Sequence, residues 1–196
     1  MQRILSRGEI ETLDRTSMPR LTQPEERVVF QERANRLRQL SAQSPIGDYL
    51  TIMSFVADAQ HTALQKYKDI PGASKEQIDR AQAHGMPPLR ATGWKRDGTW
   101  LAILADIVQH VQAQAEMPDA VKTICQNIIG EIATKTDSLE HLADALLARF
   151  DEGVDAARAP FVMAALQVYW TRLGINFPEG DLPIITPFGV CPCCGS

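Results

Sequence analysis

The stretch Ser44 to Tyr67, SPIGDYLTIMSFVADAQHTALQKY, decides the reading of this chain, because apolar residues crowd there more densely than anywhere else. Ser44 is a good helix cap, and Pro45 suits a first helical turn, where its missing N–H would be unpaired anyway. Asp48 then meets the positive end of the helix dipole. Ile46, Tyr49, Leu50, Ile52, Met53, Phe55, Val56, Ala57 and Ala59 cover most of the circumference, which predicts a core helix largely enclosed by others. A membrane span needs about 20 apolar residues, and Asp48, Asp58 and His61 interrupt this run.

Working outward, the flanks repeat the helical period. Phe30, Ala34, Leu37 and Leu40 predict a helix between Pro24 and Gln43, with Arg33, Arg36 and Arg38 on a solvated face beside Glu25, Glu26 and Glu32. Lys68 to Ala73 breaks the central helix with Pro71 and Gly72. Ser74 and Gln77 form a capping-box pattern for a short helix that Gly85 stops, with His84 complementing the dipole in its last turn. GMPPLRATGWKRDG reads as a loop in which Pro87 and Pro88 force extended backbone and Trp94 pins the loop to the bundle.

Thr99 is a candidate cap for the helix carrying Trp100, Ile103, Leu104, Ile107, Val108 and Val111. Pro118 opens the next, whose stripe includes Cys125 as a small core residue, and the DSLE run from Asp137 caps another. Pro160 lies near the start of a final helix that Gly174 ends. No stretch alternates with period two over enough length to make a sheet. The prediction is an all-α protein, an irregular helical bundle of about seven helices.

Its organisation follows: residues 1–24 a loose N-terminal arm, 25–175 the bundle, 176–196 a linker and cysteine tail. With 196 residues, 44% hydrophobic and 22% charged, the chain can bury one large core. The net charge of −4 and pI near 5.6 argue against nucleic-acid binding, which needs a concentrated basic face. The N-terminus lacks the apolar region of a secretory signal, so the expected location is cytoplasmic. Cys125 alone and Cys191, Cys193 and Cys194 together at the end are no secreted disulfide framework.

No GxGxxG, P-loop, GxSxG or HExxH occurs, and the four histidines are scattered. Asp58 and His61 could meet one turn apart, and such a pair beside a core helix reads as a structural hydrogen bond. The chemically pointed motif is Cys191-Pro-Cys193-Cys194-Gly195-Ser196. A C-x-x-C turn lets two thiolates grip one metal ion, but tetrahedral zinc or rubredoxin-type iron needs four donors, so this is half a site. Redox C-x-x-C chemistry wants a βαβ setting, which the pattern does not offer.

RANRLRQL, SPIGDYL and ADAQ between Arg33 and Gln60, GMPPL from Gly85 to Leu89, APFVMAALQVYW from Ala159 to Trp170, and the C-P-x-C-G-S ending resemble the bacterial formate dehydrogenase accessory proteins called FdhE. That resemblance spans nearly the whole chain, in the right order. It implies a cytoplasmic assembly chaperone, not itself an enzyme, that binds the catalytic subunit of a molybdenum- or tungsten-dependent formate dehydrogenase during maturation. It also implies that Cys191 and Cys194, with Cys193 as a further possibility, form the first half of a rubredoxin- or zinc-ribbon-like knuckle for iron or zinc. The family completes that site with later C-x-x-C pairs. The expected partner surface comprises Gly47, Asp48 and Tyr49 together with Met86, Pro87 and Pro88. The alternative, from a different functional class, is a metal- or redox-responsive regulator or thiol enzyme acting through the cysteine cluster.

Overall fold

The computed structural model describes residues 23–150, 154–177, 191 and 193–195. Most of the expected N-terminal arm and most of the tail fall outside the described residues. Seven helices run through the described part: α1 (Val29–Ser41), α2 (Gly47–Lys66), α3 (Lys75–Ala83), α4 (Thr99–Gln112), α5 (Asp119–Thr134), α6 (Thr136–Leu147) and α7 (Ala159–Ile175). No strand occurs among the described residues, as the hydrophobic periods predict.

The centre of the bundle is α4 with α7. Trp100, Ile103, Leu104, Ile107, Val108 and Val111 recur on one face of α4, and every one is fully buried. Val162, Ala165, Leu166, Val168, Tyr169 and Leu173 do the same on α7. Enclosing each large side chain of this kind contributes about 1.5–3 kcal/mol relative to exposure, so these two stripes dominate the core. Helices α2 and α5 pack on α4, α2 and α6 pack on α7, and α1 forms a hairpin with α2. Among the described residues no helix is long and apolar enough to cross a membrane.

The apolar stretch at α2 is therefore enclosed only in part. Its second half buries Ser54, Val56, Ala57, Ala59, Gln60, Ala63 and Leu64, whereas Ile46 and Tyr49 at its start are 57% and 51% exposed. Hydrophobic density along a helix does not say which turns its neighbours, here α1, α4 and α7, enclose.

Several helix ends differ from expectation. Helix α2 starts at Gly47 instead of Ser44, because Ser44 closes a turn before it: its carbonyl accepts from Gly47 N at 3.0 Å and its hydroxyl from Ile46 N at 3.3 Å. Thr99 is already helical, and Asp97 Oδ1 accepts from its N–H at 3.0 Å in the capping role expected of Thr99. Helix α6 begins at Thr136 behind Lys135, with no side-chain cap from the DSLE run. Helix α7 continues through Gly174 to Ile175. The capping box of α3 is present as read, with Ser74 Oγ accepting from Gln77 N and Gln77 Oε1 from Ser74 N. Gly85, at φ +62°, ends α3 in a Schellman turn: Met86 N donates to Ala81 O and Gly85 N to Gln82 O.

Candidate functional site

Two features that are far apart in sequence, the GMPPL loop and the cysteine turn, meet in space. After Gly85 the loop runs inward through Pro87, half-buried, and Pro88 and Leu89, both buried. The chain turns at Pro88 and Leu89 instead of staying extended as the paired prolines predict, because the fixed proline φ suits a turn as well as a strand, and Leu89 presents both its backbone groups to neighbours. Its N–H donates to Cys193 O at 2.7 Å, and its carbonyl accepts from Trp170 Nε1 of α7 at 3.0 Å. The cysteine turn closes through Gly195 N to Cys191 O at 2.9 Å. Gly195 sits at φ +79°, and a Cβ added there would lie 2.9 Å from Pro87 Cγ. Glycine is thus required twice over, for its conformation and for its close approach to the loop. A cavity of about 250 Å³ lies beside the turn, lined by all three cysteines and by Leu89, Trp170 and Gly174 among others.

Cys193 packs against the hydrophobic core, and its thiol pKa is held below the ordinary value by a hydrogen bond from Cys191, which outweighs burial and the neighbouring charge of Cys194. Cys125 is the opposite case. It is fully buried in α5, and desolvation pushes its thiol up to about 11, as suits an inert core residue. A tetrahedral iron or zinc ion takes four donors. Among the described residues no group of three or more His, Cys, Asp or Glu side chains is arranged to hold a metal.

The other expected contact residues lie at the α1–α2 corner. A Cβ on Gly47 would be 2.5 Å from Ser41 O, so the glycine permits the two helices to meet this closely. Asp48 is exposed in the first turn of α2. Tyr49 lines a groove of about 860 Å³ between α1, α2, α7 and the end of α6, with Phe150, 65% exposed, also lining it. Met86 is 42% exposed at the separate GMPPL loop, where Pro88 is buried in the bundle and Pro87 faces Gly195.

The groove holds a polar chain that periodicity alone does not reveal. Gln60, buried in α2, donates through Nε2 to Ala164 O at 2.9 Å and to Gln167 Oε1 at 3.1 Å, and Arg33 NH1 donates to the same oxygen at 2.8 Å. A glutamine inside an apolar helix is the signal that could have pointed here, since buried amides require partners. The Asp58–His61 contact expected from spacing is not made: Asp58 pairs with Arg38 across the α1–α2 hairpin. Two buried arginines are likewise invisible to spacing. Arg172 of α7 bonds Leu64 O and pairs with Glu26 at 3.0 Å, and Arg96 pairs with Glu140 and Asp144 while Glu140 also accepts from Trp100 Nε1 at 2.7 Å.

Fold and site together define a helical scaffold on which a cysteine turn is seated by a proline loop. The family described as FdhE, N-terminal, matches residues 18–186, and the chain belongs to that family. It is 32% identical to the protein FdhE homolog of Serratia proteamaculans over 169 residues, covering 86% of this chain and 53% of that protein. It is 32% identical to the protein FdhE of Escherichia coli over 183 residues, covering 91% of this chain and 56% of that one. The crystal structure of the FdhE protein from Pseudomonas aeruginosa superposes with a TM-score of 0.77 at 30% identity, over 91% of this chain and 60% of that chain. The chain thus spans about half the length of the curated relatives it matches.

Proposed function

We propose that this protein is an accessory protein of a formate dehydrogenase, a cytoplasmic assembly chaperone that binds the enzyme's catalytic subunit through its helical bundle and performs no catalysis of its own. The observation that carries this reading is the family match over residues 18–186, which takes in the entire bundle. The start of α2 and the GMPPL loop support it as contact points, because Tyr49 and Met86 leave apolar surface exposed on rigid supports, where binding residues commonly sit. In the same reading Cys191 and Cys194 supply two thiolates to an iron or zinc ion whose remaining donors come from outside the turn. Such an ion would fasten the cysteine turn and would not be needed to fold a bundle whose core is apolar.

The test is capture of a purified formate dehydrogenase catalytic subunit by the tagged chain. Capture is expected to persist in Cys191→Ser and Cys194→Ser. Asp48→Ala and Tyr49→Ala are expected to weaken it while the melting temperature stays near that of the parent. Thiol turnover without any client, abolished by the same serine substitutions, would instead favour a regulator or thiol enzyme working through the cysteines.

A further inference from the structure

The cysteine turn brings more together than a C-x-x-C pair. Cys191, Cys193 and Cys194 are all half-buried, and all three line the cavity of about 250 Å³ beside Leu89 and Trp170. Cys191 donates a hydrogen bond to the Cys193 sulfur, so two sulfurs separated by a single residue are in contact. The turn that places them so is closed by Gly195 N, which donates to Cys191 O at 2.9 Å. Cysteines whose sulfurs already meet can be joined with little backbone movement.

Cys193 is also the residue by which the turn holds the GMPPL loop. Its carbonyl accepts from Leu89 N at 2.7 Å while its side chain packs against the core. Hydrogen-bonded sulfurs lie well outside covalent contact, so a bond to Cys191 draws Cys193 toward its partner. The Leu89 hydrogen bond is lost once its donor and acceptor part by about 1 Å. Gly195 gives the turn no slack on its other side, since even a Cβ there would lie 2.9 Å from Pro87 Cγ. A change in the bonding of Cys193 is therefore felt by the loop.

We propose that Cys191 and Cys193 form a reversible disulfide by exchange with a low-molecular-weight disulfide, and that closing it releases the GMPPL loop from the cysteine turn. One of the two sulfurs attacks a sulfur of the small disulfide at the cavity, whose S–S bond breaks, so that a mixed disulfide forms and one small thiol leaves. The other cysteine sulfur then attacks the first, forming the Cys191–Cys193 bond and expelling the second small thiol. The two cysteines give up two electrons and two protons, and both pass to the two thiols released. This is one event per chain and no turnover, so it does not need the βαβ setting of a redox C-x-x-C enzyme. In a reducing compartment such a bond is transient, closing when the pool of small disulfides rises.

The whole chain, reduced and freed of metal with a chelator, is equilibrated with oxidised glutathione and then alkylated. Mass spectrometry of its peptides is expected to map one internal disulfide to Cys191 and Cys193, and Cys194→Ser is expected to form the same bond. Amide exchange at Leu89 is expected to quicken roughly fivefold in the oxidised chain, as the loss of one hydrogen bond allows, and to return to its former rate with dithiothreitol. The amides of α4 should keep their rates throughout, and in Cys193→Ser the Leu89 rate should not depend on glutathione. An internal bond mapped to Cys191 and Cys194, glutathione left on single cysteines, or thiols still reduced at excess oxidised glutathione overturns the proposal. So does an oxidised chain whose Leu89 amide exchanges at the reduced rate. No catalytic subunit enters either measurement, so failure here leaves the accessory reading intact.

Discussion

Gly47→Ala adds one methyl group at the corner between α1 and α2, and its consequence can be worked from the geometry. The new Cβ would lie 2.5 Å from Ser41 O and 3.4 Å from Ser41 C, where real Cβ contacts essentially never fall below 3.0 Å. The obstacle is backbone, so no side-chain rotation relieves it, and the corner must open by about half an ångström. Overpacking of this kind costs about 1–3 kcal/mol. Replacing glycine by alanine in a helix returns at most about 1 kcal/mol, and less in the first turn. The expected net loss is about 1–2 kcal/mol, a drop in melting temperature of roughly 2–8 °C for a chain of this size. Gly130→Ala is the internal control: Gly130 lies within α5 with nothing inside 4 Å of its added Cβ, so propensity alone acts and stability should rise by up to about 1 kcal/mol. Thermal and urea unfolding of both variants measure this. A Gly47→Ala protein as stable as the parent would refute the close-approach account of the SPIGDYL glycine.

Three further predictions concern the buried ion pairs and the metal. Glu140→Ala leaves Trp100 Nε1 without its acceptor and Arg96 with Asp144 alone, so urea unfolding should report a loss of about 2 kcal/mol. Glu26 has its pKa lowered chiefly by the hydrogen bond from Arg172, so its stabilising contribution is present above its unfolded value of about 4.3 and is lost as pH falls through the lower folded value. Stability measured between pH 7 and pH 3 should therefore fall less steeply at the acid end in Glu26→Gln than in the parent. Because Cys191 and Cys194 supply two donors where about four are needed, elemental analysis of the monomeric 196-residue chain should find no stoichiometric, tightly held iron or zinc. Supplying a further C-x-x-C pair should bring the content to about one ion per site.

What was legible in the sequence is what depends on local pattern. The stripe from Trp100 to Val111 repeats at helical spacing with no charge on its face, and it is the buried face of α4. Ser74 with Gln77, and Gly85 after the last apolar turn, are satisfied by bonds within a few residues, and both ends of α3 fall there. Trp94, placed in the loop by flanking turn residues, packs on the core with its indole N–H 3.5 Å from Tyr169 Oη. What was not legible depends on tertiary neighbours. Met53 stands in the densest apolar window, yet it lines the groove and is only half-buried. Leu89 and Cys193 have no local feature that joins them, and a single backbone hydrogen bond between distant segments does. Arg172 interrupts an apolar stripe, which marks it as paired, but its partners Leu64 O and Glu26 are set by how α7 lies against α2 and the chain before α1.

Amide hydrogen exchange of the chain, free and saturated with a formate dehydrogenase catalytic subunit, tests the central claim most directly. The account predicts slowed exchange concentrated at Gly47 to Tyr49 and at Met86 beside the two prolines, which carry no amide hydrogen, with the α4 core unchanged because it is already enclosed in the free protein. Protection confined to the cysteine turn, or no change anywhere at saturating client, would contradict a helical bundle that receives the enzyme.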